Sequence, residues 1–200
     1  MAREDTQKPQ NNNDSVREAV MLYLHDAVYL LITVLLLFLL VFRIIIVSGD
    51  SMRLTLVDGD YLLLLNNLFY SEPERGDVVV VSKKSFDNGA PIVKRVIATE
   101  GQTVDIDFEA GIVYVDGEAL VEPYIHNLTH NNLGTPFPLV VAEDCIFALG
   151  DNRAVSRDSR DPTIGQIDRR EILGKALFLF FPGTDKDRSD RDYGRIGAIK

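Results

Sequence analysis

Three short stretches of this chain combine residue types that could carry out nucleophilic chemistry. The first is Val47-Ser48-Gly49-Asp50-Ser51-Met52, a polar turn that puts the Ser51 hydroxyl just beyond a long apolar run. A serine is a poor nucleophile until a base takes its proton. The second stretch, Ile92-Val93-Lys94-Arg95-Val96-Ile97, could supply that base. Strand alternation sets Ile92, Lys94 and Val96 on one face and Arg95 on the other. A lysine buried among β-branched residues loses the solvation of its ammonium, its pKa falls, and the neutral amine becomes available. The same lysine could instead be paired structurally, or protect an edge strand. The third stretch runs Gly150-Asp151-Asn152-Arg153-Ala154-Val155-Ser156-Arg157-Asp158-Ser159-Arg160. A solvated surface loop has this composition. So does a loop that supplies a hydroxyl to orient a buried amine and is held folded by its own Asp–Arg pairs.

The remaining reactive types point elsewhere. His25 borders the apolar run, and His126 and His130 lie in a loop-like segment without the glutamate or helical pattern of a zinc helix. Cys145 stands alone in an apolar context and reads as a small buried hydrophobe. Neither a disulfide nor a Cys-rich metal site is expected, and no metal or organic cofactor.

These groups have to be positioned by elements that the sequence also marks. Ala27 to Val47 is an apolar run interrupted only by Arg43. It is long enough for a helix to cross a ~30 Å hydrocarbon core, and too long for the ~7–15-residue apolar segment of a cleaved signal peptide. Arg43 sits where its stem could snorkel to the head groups. Ser15-Val16-Arg17-Glu18 fits a capping box, so the helix is expected over 15–47 after a disordered tail at 1–14. Arg3, Lys8 and Arg17 on one flank against Arg43 and Arg53 on the other lean slightly toward a cytoplasmic amino terminus. Beyond Leu56 the pattern turns to short β-type runs: Tyr61–Leu65, Val78–Val81, Ile92–Ala98, Thr103–Ile106, Ile112–Val115, Leu139–Val141, Ile146–Leu149 and Ile172–Phe181. Asp116-Gly117 reads as a two-residue hairpin turn. The expected organisation is a mainly β domain over 48–182 with a small β insertion at about 101–144, then a polar, solvated tail at 183–200. A formal charge of −9 argues against a nucleic-acid partner, and membrane attachment should be hydrophobic rather than electrostatic. An apolar surface around Met52, Val57 and Leu62 is a candidate for resting on a lipid bilayer.

Taken together, the three stretches resemble the type I signal peptidases, membrane-anchored Ser/Lys peptidases that remove signal peptides from exported proteins. The motifs that carry the resemblance are Ser51-Met52 followed by Thr55-Leu56, Arg75-Gly76-Asp77-Val78 with Lys94-Arg95-Val96, and Gly150 to Arg160, matched at every fixed position. The resemblance extends from the apolar run to about Phe181. It implies an antiparallel-sheet Ser/Lys peptidase domain outside the cytoplasmic membrane, behind a single membrane span. It also implies Ser51 as nucleophile, Lys94 as general base and Ser156 as the hydroxyl that orients the lysine. Asp151 and Arg95 would be supporting polar residues, and Asp158 with Arg160 a structural ion pair. The oxyanion would be held by the Ser51 N–H with help at Gly49. The implied substrates are exported preproteins with small residues at the first and third positions before the cut. Two positions depart from the common pattern. Gly49 has no hydroxyl to donate to an oxyanion, and Leu54 stands where most members have a proline, which fixes φ and stiffens a turn. They motivate one alternative, a catalytically impaired membrane-anchored homologue that acts as a binding protein.

Overall fold

The computed structural model describes residues 12–187 and 190–199, in two compact units, one up to Leu40 and one from Val41 onward. The first unit is the helix α1, which occupies Asn12–Val41. Its segment Val16–Val41 is long and apolar enough to cross a membrane, and its leucines, valines and isoleucines face outward. Most of the tail expected to be disordered lies outside the described residues. Asn12 to Asp14 do not belong to it, because the helix starts three residues before the expected cap at Ser15.

The helix also ends earlier than the apolar run does. Phe42–Ile46 forms β1, which pairs antiparallel with β2 (Tyr61–Asn66), Arg43 opposite Leu64 and Ile46 opposite Tyr61. The hydropathy of 42–47 therefore belongs to a sheet. Ile44, Ile45 and Ile46 are β-branched and stiff at χ1, which suits an extended chain with a partner strand beside it, and periodicity cannot separate a short apolar strand from the end of a helix. Arg43 lies exposed on that strand.

The second unit is built of antiparallel strands, as the alternating runs predict. Its larger sheet has the order β1-β2-β11-β3-β4-β9-β10, with β12 (Gly197–Ala198) also paired to β11. Here β3 is Val78–Val81, β4 Ile92–Thr99, β9 Cys145–Leu149, β10 Ile167–Asp168 and β11 Ile172–Phe181. A four-stranded sheet, ordered β7-β6-β5-β8, is formed by β5 (Thr103–Asp107), β6 (Ile112–Val115), β7 (Glu118–Ala119) and β8 (Leu139–Val140). Asp116 and Gly117 both have positive φ, 53° and 81°, in the turn between β6 and β7, as the favoured two-residue hairpin requires.

The central strands carry the core. All four valines of β3 are buried, and β4 is buried from Val93 to Ala98 because it lies between β3 and β9. Val79, Val81, Val96, Ala148 and Ile164 form one cluster, and Met52, Leu56, Leu62, Leu64 and Val80 belong to another. A third joins Ile97, Phe147 and Leu149 to Val104, Val113 and Val115 of the smaller sheet. Met52, Val57 and Leu62 are thus core residues, 1%, 5% and 0% exposed, and present no surface to lipid. Their side chains hold the turn that carries Ser51 down on the sheet.

Among the described residues the tail also departs from expectation. It folds back as a short 3-10 turn at Tyr193–Arg195 and adds β12 to β11, Ala198 opposite Phe178. A charge-rich segment need not be solvated when its charges have partners, and those partners are described below.

Candidate active site

Lys94 sits in the middle of β4, paired with Val79 of β3, and is 2% exposed. Its strand is internal, so it protects no edge. The amine reaches past the sheet to the turn after β1: Nζ donates to Ser51 Oγ at 2.9 Å and to the Val93 carbonyl at 2.9 Å. Burial lowers the Lys94 pKa from 10.5 to about 8. Asp158 and Asp151 oppose that shift by favouring the ammonium, and Arg160 adds to it. Desolvation wins because, among the described residues, no carboxylate bonds the lysine directly.

Ser51 itself is held by backbone contacts. Met52 is buried beneath it, the Leu56 N–H donates to the Met52 carbonyl at 2.8 Å, and the Arg53–Leu54 peptide is cis. Asn152 clips the turn from the other side: its N–H donates to the Ser51 carbonyl at 3.0 Å and its side-chain amide to the Asp50 carbonyl at 3.2 Å. The Gly49 N–H donates to Asp58 Oδ1 at 2.8 Å. That donor is engaged away from any oxyanion, which leaves the Ser51 N–H as the member of the expected pair that could serve.

The segment Gly150–Arg160 is mostly buried, with Ala154, Val155 and Arg157 at the surface. Asp151, Asn152, Arg153, Ser156, Asp158, Ser159 and Arg160 are all buried. A buried charge is tolerated only when paired and hydrogen-bonded, and each one here is. Arg95 forks onto Asp151 with bonds of 2.9 and 2.7 Å, reaches the Gly76 carbonyl, and stacks over Tyr124 at 4.1 Å. Arg160 forks onto Asp158 at 2.8 and 2.9 Å and caps the carbonyls of Arg153, Ser156 and Asn131. Arg153 binds both oxygens of Glu122. The Asp151 carboxylate also accepts from Thr55 Oγ1 at 2.5 Å, which links the loop, β4 and the Ser51 turn. Thr55 belongs to the motif that follows Ser51-Met52, whereas Glu122 and Tyr124 lie in irregular chain, and nothing in their local pattern announces a distant arginine.

Ser156 is buried next to Gly150, its hydroxyl without a hydrogen-bond partner among the described residues, while Lys94 bonds Ser51 and Val93. Gly150 is required there: a Cβ on it would lie 2.2 Å from Ser156 Oγ and 2.5 Å from the Ser51 carbonyl oxygen.

Ser51 opens into a cleft of about 530 Å³, walled by Ile45, Ile46, Ser48, Pro91 and Val93 among others. Such a cleft suits an extended, mostly apolar peptide, with a hydroxyl and a buried amine at its polar end. The His126 backbone N–H donates to the Asp151 carbonyl at 2.9 Å, while its ring bonds Asn127 and the His130 ring bonds the Phe108 carbonyl.

Residues 20–181 match the family described as signal peptidase, peptidase S26. The chain is 35% identical over 161 residues to the protein named "Probable signal peptidase I-1" from Synechocystis, covering 76% of this chain and 74% of that one. It is 31% identical over 187 residues to signal peptidase I T of Bacillus subtilis, covering 88% and 94%. A signal peptidase I crystal structure from Enterococcus faecalis matches at 28% identity and a TM-score of 0.42, covering 52% of this chain and 96% of that one.

Proposed function

The chain belongs to the signal peptidase family, peptidase S26, and from that premise we propose that it is a single-span membrane endopeptidase that cuts signal peptides from exported preproteins with Ser51 and Lys94. The observation that carries the proposal is the 2.9 Å contact between Lys94 Nζ and Ser51 Oγ, with the lysine buried and its pKa lowered to about 8. Neutral Lys94 takes the Ser51 proton as Oγ bonds to the scissile carbonyl carbon. When the tetrahedral intermediate collapses, the C–N bond breaks and the leaving amine takes that proton from the Lys94 ammonium. Water then gives a proton to Lys94 and attacks the ester, releasing the signal peptide's carboxylate and restoring Ser51. A Ser/Lys pair follows the logic of the serine triads by a different route: burial makes the neutral amine available by destabilising the ammonium, whereas a triad aspartate orients histidine and stabilises its imidazolium.

Within this reading the oxyanion rests on the Ser51 N–H, since the Gly49 N–H is turned to Asp58. A single well-placed donor is worth roughly 3 kcal/mol of barrier. The unpartnered Ser156 hydroxyl would accept a bond from the Lys94 ammonium once it forms, and so orient it for the return of the proton. The cleft beside Ser51 takes the residues before the cut, small ones fitting between Ile46 and Val93. Val16–Val41 anchors the protein in the cytoplasmic membrane, with the β domain on the extracytoplasmic side. The impaired-homologue alternative has no supporting observation here, because the nucleophile and base are within bonding distance despite Gly49 and Leu54.

The test is cleavage of a preprotein by the purified protein in detergent, beside Ser51→Ala and Lys94→Ala. The parent should cut and both variants should not. Cleavage that survives in either variant removes the dyad, and a parent inert on several preproteins removes the peptidase reading.

A further inference from the structure

The tail that looked like solvated chain is fastened to the turn that holds Ser51. Asp60, at the end of that turn, is 0% exposed and accepts four hydrogen bonds. One comes from its own turn, the Val57 N–H at 2.8 Å. The other three come from the tail: the Gly183 N–H at 2.6 Å and the Arg195 guanidinium at 2.9 and 2.6 Å. Arg195 Nη2 also donates to the Thr55 carbonyl at 3.2 Å, and Thr55 is the residue whose hydroxyl binds Asp151. Further out, Arg53 pairs with Asp185 and Asp187, and Lys186 pairs with Asp50, next to Ser51. Lys186 and Asp187 are exposed and the Arg53–Asp185 pair is only half-buried, so these outer pairs are screened by solvent and contribute less. The Asp60 cluster is different, because a buried carboxylate stripped of its arginine is costly.

The tail is itself held at both ends. Arg191 stacks over Phe181 at 4.8 Å near the start, and β12 with the Ile199 N–H bonded to the Leu177 carbonyl closes the other. Gly183 is a requirement of the contact: a Cβ there would lie 2.0 Å from the Asp58 carbonyl oxygen and 2.8 Å from the Asp60 nitrogen. The fastening lies beyond Phe181, where the match to the family ends.

We propose that residues 183–187 and 190–199 act as a strap that holds the Ser51 turn in register with Lys94, with Arg195 as the positioning residue acting through Asp60 and Thr55. It adds a second fastening to a turn that Asn152 already clips from the other side and that has no proline between Ser51 and Asp60. The proposal rests on Ser51 being the nucleophile only for its effect on rate; the fastening itself can be read without substrate.

The experiment uses the full chain in detergent as parent, Arg195→Ala, Arg195→Lys and Gly183→Ala. Amide hydrogen exchange is followed by mass spectrometry over 50–57 and over β3 and β4, and preprotein cleavage is measured alongside. Arg195→Ala and Gly183→Ala should speed exchange in 50–57 by about tenfold with β3 and β4 unchanged, as local release of one segment would. kcat should fall by about tenfold at unchanged KM and unchanged pH midpoint, because misplacing the nucleophile alters neither binding nor the lysine. Arg195→Lys, which keeps the charge and loses the fork, should recover part of both. Exchange in 50–57 that stays at the parent rate in both variants overturns the strap. So does loosening spread evenly over 50–57, β3 and β4, which would make Arg195 merely structural. A parent that cuts no preprotein overturns the peptidase reading, and the exchange data then decide the strap alone.

Discussion

As the proposed base, Lys94 has to meet two opposed demands, and the conflict can be measured. To serve as a base it must be neutral; to sit at the centre of a sheet it must give up the water that would keep it charged. Its pKa of about 8 makes the neutral form the minority at neutral pH. Turnover should therefore rise about tenfold per pH unit below 8 and level off above it, read as kcat/KM for preprotein cleavage between pH 5 and 10. A profile flat from acid to neutral pH would rule out the lysine. The same shift has a stability cost of definite sign. The folded state binds the proton less tightly than the unfolded chain, so below pH 8 the full penalty of the buried ammonium is present. It is relieved as pH rises from about 8 to 10.5. Lys94→Met should thus be inactive yet more stable than the parent by about 3 kcal/mol at pH 7, the gain disappearing above pH 10.5, as denaturant titrations at two pH values would show. At this scale the sequence was informative about Ser51 and Lys94, since a lysine flanked by β-branched residues is unusual on its own terms. It was not informative about partners such as Tyr124 and Glu122, whose contacts are made across 29 and 31 residues of chain.

The elements divide in the same way. Strands with clean alternation or unbroken valine runs were readable, and Val78–Val81 and Ile172–Phe181 form as their patterns predict. β1 was not, because Phe42–Ile46 is as apolar as the helix before it and only its pairing with β2 distinguishes the two. β10 and β12 are two residues each, below what any periodicity can mark. The Gly150–Arg160 segment shows the opposite limit, since its composition suggests solvent while its Asp–Arg forks allow burial. Its first residue is the tightest point. Gly150→Ala must push apart Ser156 and the Ser51 carbonyl, and should lower kcat by at least about a hundredfold, as a misplacement near 1 Å does. An unchanged cleavage rate in that variant would mean the turn and loop are not locked together.

For the whole molecule, the boundary at Val41 matters more than the end of hydrophobicity at Val47. Deleting residues 1–41 removes the helix and leaves β1, and the product should leave the membrane fraction while still cutting a soluble peptide substrate. Deleting residues 1–47 also removes Ile45, Ile46 and Val47 from the cleft, together with the outer strand of the larger sheet. It should lose peptide cleavage by at least about a hundredfold. Equal activity of the two truncations would show that β1 does not shape the site. The topology has a further consequence. β11 is the last long strand in sequence, yet it lies between β2 and β3 in the sheet, and Asn152, which clips Ser51, arrives only shortly before it. Pairings this distant form late, because loop closure must be met before contact rewards it. A ribosome making this chain has therefore released Ser51 and Lys94 long before they can meet. On the reading of Ser51 and Lys94 as a catalytic pair, a nascent chain that has not yet added β11 is expected to be unreactive, because the sheet beneath both residues is still open.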